Sequence, residues 1–221
     1  MQVLNLLNTE QLNKVKGLLE NITFNDGKTS AKGLAKKVKQ NHEAIPDENS
    51  YKGLIEYILE NLNKNDWIAR RYLPKTFSTP IINKYSVNDF YGKHFDASHM
   101  QNKRISIRKD YSFTLMLSKY SDYEGGELVI ENGNKTQKIK LDAGDMVIYP
   151  SIHIHSVLPI TSGERIAFVG WFASHVKDPL ALEALNAFED MHLSMLKYDL
   201  SDDDQRMLSY VQNRLQHLLS S

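Results

Sequence analysis

The sequence contains no cysteine. That excludes disulfides, thiolate metal sites and cysteine nucleophiles, so any bound metal must use nitrogen and oxygen donors. Net charge is also missing: 27 Lys and Arg offset 27 Asp and Glu over 221 residues. No overall field draws the chain to nucleic acid or to an anionic membrane, and neither is expected as a partner. No apolar run approaches the length of a membrane span. The first nine residues lack the basic start, apolar stretch and small-residue cleavage site of a signal peptide. A cytoplasmic location is the resulting expectation. What the chain does have is 41% hydrophobic residues, enough to bury a sizeable interior in one large domain or a core with helical additions.

Hydrophobic periodicity divides the chain into three stretches. Leu12, Val15, Leu18 and Leu19 recur at helical spacing behind Thr9, which is placed to cap them. A second helix is expected over 31–43, with Lys32, Lys36, Lys37 and Lys39 on a solvated face, and a third over 51–62. From 81 to about 173 the texture changes to short β-branched and aromatic runs punctuated by Gly, Asn, Asp and Pro, which predicts an antiparallel sandwich or barrel. Strands are expected over 111–118, 127–131, 137–141, 145–149, 156–160 and 165–173, with turns at Gly125-Gly126, Asn132-Gly133 and Ser162-Gly163. After Asp178-Pro179 the helical period returns in two segments that cover the sheet or pair with a second copy as a homodimer. The predicted class is α+β: a double-stranded β-helix (jelly-roll) core over 81–175, an amino-terminal helical segment over 1–80 and a carboxyl-terminal helical extension over 176–221.

His94-x-Asp96, followed by His155 and then Arg165, carries the chemistry. Two imidazoles and a carboxylate can occupy one face of an octahedral Fe(II), leaving three adjacent positions for a chelating cosubstrate and dioxygen. Residues two apart on a strand point to one side, so His94 and Asp96 can grip one ion together. An isolated H-x-D carries little information, and the distant His155 and Arg165 are what give it weight. His153 competes with His155, since both alternate to the same side; the spacing to Arg165 favours His155. His99 reads as a surface residue. An inward Arg165 is costly to bury without a carboxylate partner, and the distal carboxylate of 2-oxoglutarate meets that need with bidentate geometry. The alternative is an outward Arg165 bridging Asp or Glu.

The block 85–96 reads Y-x-x-N-x-x-Y-x-x-H-x-D. It is followed by Arg108-Lys109-Asp110-Tyr111-Ser112-Phe113-Thr114, Tyr123-Glu124-Gly125-Gly126-Glu127-Leu128, Ala143-Gly144-Asp145, Tyr149-Pro150-Ser151 and Gly163-Glu164-Arg165. With Asp26-Gly27-Lys28-Thr29 and Val38-Lys39-Gln40-Asn41 upstream, the chain resembles PKHD-type hydroxylases over nearly its whole length. These form the PiuC-like branch of the prolyl 4-hydroxylase group of Fe(II)/2-oxoglutarate dioxygenases. The resemblance implies that His94, Asp96 and His155 bind iron, that Arg165 binds 2-oxoglutarate, and that Tyr85 lends its hydroxyl to the cosubstrate. A buried tyrosine at a strand end is the other reading of Tyr85. Asn88 stands where the family motif has Gly, and Asn is the side chain that best tolerates positive φ.

By the same resemblance, the chain couples decarboxylation of 2-oxoglutarate, giving succinate and CO2, to hydroxylation of a C–H bond. A prolyl residue of a peptide or protein is the implied target, and ascorbate the implied reductant. Asp96 favours hydroxylation over halogenation, because a halide needs the coordination position that the carboxylate fills. Competing readings are a small-metabolite hydroxylase, a metal-stabilised binding module without turnover, and a zinc hydrolase.

Overall fold

In a computed structural model, which describes residues 1–30, 33–46, 49–102 and 105–220, alternation along the strand Arg165–Ser174 divides the interior in two. Ile166, Phe168 and Phe172 face one way and join Phe113, Leu115, Met146 and Ile148 against the helical residues Leu54, Ile58, Leu182 and Leu185. Ala167 and Val169 face the other way, where Tyr85, Met116, Val147 and Tyr149 meet Leu128, Ile130 and Val157 of a second sheet. Helices thus cover one side of the main sheet, and a smaller sheet covers the other. Tyr111–Met116, buried at every position, lies in the middle of this arrangement.

The main sheet runs in the order Gln2–Asn5, Asp145–Pro150, Tyr111–Met116, Arg165–Ser174, Ile81–Tyr85, His42–Ala44, Phe24–Asp26, and Pro74–Phe77 also pairs with Arg165–Ser174. The smaller sheet runs Lys135–Ile139, Leu128–Asn132, Ile154–Val157, Phe90–His94, Lys39–Gln40. Every strand pairing given for these sheets is antiparallel. The hairpin expected at Asn132-Gly133 forms, with its two-residue loop one position on: Asn132 pairs with Lys135, and Gly133, the first loop residue, adopts φ +57°. Asn88 does adopt a left-handed conformation, φ +71°, so the turn leading to His94 survives the replacement of glycine.

The amino-terminal eighty residues differ from expectation. They contribute strands to both sheets as well as helices. The first helix, Thr9–Leu19, is capped by Asn8, not Thr9: the Asn8 side chain accepts from the Gln11 amide and the Gln11 side chain answers the Asn8 amide. The helix expected over 31–43 is confined to Gly33–Lys37, with Ala31 and Lys32 outside the described residues. Lys39, Asn41 and Glu43 are all buried while Gln40 and His42 are exposed, a period of two that marks extended chain, with Lys39 and Glu43 on the strands Lys39–Gln40 and His42–Ala44. Lys39 is therefore not on a solvated face; it is ion-paired with Glu43 in the interior. A further helix, Asp66–Tyr72, capped by Asn65, was not foreseen. At the other end, Pro179–Met195 buries Leu182 and Leu185, whereas Asp202–Leu219 packs against it with no fully buried residue. No described helix is long and apolar enough to cross a membrane.

Candidate metal centre

His94 closes the strand Phe90–His94, and His155 sits on Ile154–Val157 as its direct cross-strand partner. Their ring centroids are 4.3 Å apart. Asp96 lies beyond the strand end, so the pleat alone does not aim it. Its Oδ2 accepts a 2.7 Å hydrogen bond from Ser112 Oγ and stands 3.7 Å from His155 Nε2. Ligand atoms of His94, Asp96 and His155 all fall within 4.8 Å of one another. Three donors from two distant stretches of chain thus converge on a space of ionic size.

The backbone presets both imidazoles. His94 Nδ1 is 2.8 Å from the Gly92 carbonyl oxygen, and His155 Nδ1 is 3.0 Å from that of His153. A carbonyl only accepts, so each Nδ1 carries a proton, and the neutral ring then presents its lone pair at Nε2. Burial, and then the neighbouring His155, lower the His94 pKa to about 4, which keeps that ring neutral near pH 7. Tyr91 stacks on the His94 ring at 3.6 Å, and Tyr149 meets His155 edge-on at 5.3 Å. Ser112 and Ser151 hydroxyls are 2.8 Å apart behind Asp96. The sequence pattern predicts Ser112 only as one residue of the strand 111–118. The missed signal was a hydroxyl at an inward position of a fully buried strand, where it requires a partner.

Arg165 points into the same interior, 2% exposed, paired in register with Tyr85 and with its guanidinium carbon 5.2 Å from the Tyr85 ring centroid. Its buried Nε has no partner, and no carboxylate pairs with it among the described residues. The outward, surface-bridging alternative therefore does not hold. Gly126 leaves room for the side chain, since a Cβ there would come within 3.1 Å of Arg165 Cδ. Burial pushes Tyr85 up to about 12, against the opposing pull of Arg165, so its hydroxyl stays protonated. A buried cation lacking its counter-charge suits a carboxylate ligand, and the nitrogen and oxygen donors nearby suit a ferrous ion.

The remaining candidates stay apart from this cluster. His153 contributes its carbonyl to His155, while its own imidazole lies outside the three-donor group. His99 is exposed and contacts Ser98 Oγ at 3.0 Å. Asp110 takes a bidentate bond from Arg108 and accepts from the Ser174 amide, which makes it a loop anchor.

A model of the 2OG-Fe(II) oxygenase superfamily matches residues 80–173. A PKHD-type hydroxylase of Alteromonas mediterranea is 36% identical over 202 residues, covering 90% of this chain and 89% of that protein. One from Thermosynechococcus vestitus is 33% identical, covering 97% and 96%. Among solved structures, a prolyl hydroxylase from Trichoplax adhaerens, in complex with a hypoxia-inducible-factor peptide fragment, superposes with a TM-score of 0.58 at 16% identity, covering 81% of this chain and 86% of that one. A Pseudomonas putida prolyl-4-hydroxylase gives 0.51 at 16% identity, covering 78% and 91%. At such identities these two likenesses speak for the fold.

Proposed function

Because the chain belongs to the PKHD-type hydroxylases within the 2OG-Fe(II) oxygenase superfamily, we propose that it hydroxylates a C–H bond of a prolyl residue in a peptide or protein. His94, Asp96 and His155 hold the Fe(II), Arg165 holds the far carboxylate of 2-oxoglutarate with Tyr85 beside it, and the two facing sheets are the halves of a jelly roll. The observation that carries this reading is the buried guanidinium with an unpartnered Nε in the same interior as a three-donor cluster. A metal-stabilised binding module has no need of such a group. The prolyl target is supported by analogy with the prolyl hydroxylases that share the fold.

When bound, iron and 2-oxoglutarate supply the oxidative chemistry, with succinate and CO2 as coproducts and ascorbate as the accessory reductant. The protein supplies position. Gly92 and His153 carbonyls fix the imidazole tautomers, and Ser112 orients Asp96 with a charge-assisted bond. Arg165 provides an anion site that does not titrate near neutral pH. Tyr85, Tyr149, Val157 and Ala167 wall the interior with buried surface and keep bulk water from it.

Anaerobic addition of Fe(II) and then 2-oxoglutarate should give a visible charge-transfer band, and admission of O2 should yield succinate. A folded, metal-loaded sample with neither response contradicts the enzyme reading. Mass spectrometry of proline-containing peptides after turnover tests the target: a gain of one oxygen on proline is expected, and a gain confined to other residues or to small metabolites refutes the prolyl assignment.

A further inference from the structure

Lys109 sits just before the strand Tyr111–Met116, with Nζ 3.5 Å from the centroid of the Trp171 ring. Trp171 is 7% exposed, and its buried Nε1 has no hydrogen-bond partner among the described residues. On its strand Trp171 shares a face with Arg165 and Ala167, the face turned toward the smaller sheet. It also pairs in register with Ser112, whose hydroxyl holds Asp96. Lys109 and Trp171 therefore flank the metal ligands.

Both groups are donors, and neither has an acceptor among the described residues. Lys109 is only partly exposed and forms no ion pair among the described residues. The adjacent carboxylate, Asp110, is already committed to Arg108 and to the Ser174 amide. Asp96 feels the Lys109 charge but is bound to Ser112 and belongs to the ligand cluster. A half-desolvated ammonium beside a desolvated indole N–H calls for an anionic acceptor. That acceptor is not the cosubstrate carboxylate assigned to Arg165, which lies six residues, roughly 20 Å at strand rise, along the same chain segment. Phe95 and Ile152, 71% and 82% exposed and next in sequence to the ligand Asp96 and to His153, add apolar surface at this end.

Building on the proposed oxygenase site, we infer that Lys109 and the Trp171 N–H dock a carboxylate of the prime substrate beside the C–H bond to be hydroxylated. The substrate is an apolar group carrying a nearby carboxylate. An acidic side chain, a peptide C-terminus and a free amino acid all offer this chemistry.

The test uses protein loaded anaerobically with Fe(II) and 2-oxoglutarate, and calorimetric titration with four probes. These are an amidated N-acetyl peptide with Asp beside Pro, its neutral Asn counterpart, an N-acetyl-prolyl peptide whose only charge is its free C-terminal carboxylate, and free proline. At least one carboxylate probe should bind roughly tenfold or more tightly than the neutral Asn peptide, and which one does so identifies the source. In Lys109→Met the ratio should fall to about one; in Lys109→Arg it should persist. Trp171→Phe, which keeps a ring under Lys109 but deletes the N–H, should lose part of it. Equal binding of all probes by the wild type, or no binding of any carboxylate probe, overturns the inference, as does a preference that survives Lys109→Met. The wild-type arm decides even if a variant fails to fold. Failure to form the 2-oxoglutarate chelate would instead count against the oxygenase reading itself.

Discussion

His94 and His155 are opposite partners on adjacent antiparallel strands, and the main chain two residues upstream of each fixes its tautomer. The ring nitrogens left over from these bonds face one space with Asp96 closing it. The site is thereby preorganised by backbone geometry, and its metal affinity should depend on hydrogen bonds as much as on the ligands.

His94 has a folded pKa of about 4, below the roughly 6.5 of an unfolded histidine. Between these values the unfolded chain binds a proton that the native state refuses. Stability of the metal-free protein should therefore be at its plateau above pH 6.5 and decline as pH falls toward 4. Urea midpoints measured across that window in chelator should show the decline, and His94→Gln should flatten it. An unchanged slope in the variant removes His94 as its source.

Ser112→Ala deletes the donor to Asp96 while leaving all three ligands. Metal affinity should weaken by about tenfold to a hundredfold with the fold retained. Competition titration with Co(II) measures it; an affinity equal to the wild type would mean that Asp96 is positioned by other contacts.

Arg165→Met should uncouple cosubstrate binding from folding. It removes a buried, incompletely satisfied cation, so the melting temperature without 2-oxoglutarate should hold or rise. Wild-type protein should gain stability on adding 2-oxoglutarate with metal present, and the variant should not. Equal ligand-induced shifts in the two proteins would place the carboxylate elsewhere.

His155→Ala should abolish tight metal binding, whereas His153→Ala should preserve it, because alanine retains the carbonyl that His153 gives to His155. The reverse pattern would transfer the ligand role to His153.

At the turn before the ligands, Asn88→Gly should be neutral or stabilising by up to about 1 kcal/mol, and Asn88→Val clearly destabilising, since β-branched residues resist positive φ. Thermal denaturation distinguishes these outcomes.

Parts of the fold were legible because their periodicity was local. The Asn132-Gly133 hairpin and the strand Arg165–Ser174 follow from turn chemistry and alternation. The segment 31–43 misled because Lys39 and Glu43, four apart, suit a helix face as well as a buried strand pair; assuming that charge faces solvent hid the period of two. Gln2–Asn5 gave no signal, since its side chains are mostly exposed and only backbone pairing with Asp145–Pro150 makes it a strand.

The sequence by itself determined the chemistry available: nitrogen and oxygen donors without thiolates, an H-x-D pair, and an always-charged guanidinium on an apolar strand. Only the tertiary structure decided that His155 and not His153 faces His94, that Ser112 holds Asp96, and that Arg165 is buried with no partner for its Nε among the described residues. Residue types and short spacings are covalent facts, whereas a contact between distant strands depends on register. A shift of one residue there would have turned every side chain to the opposite face.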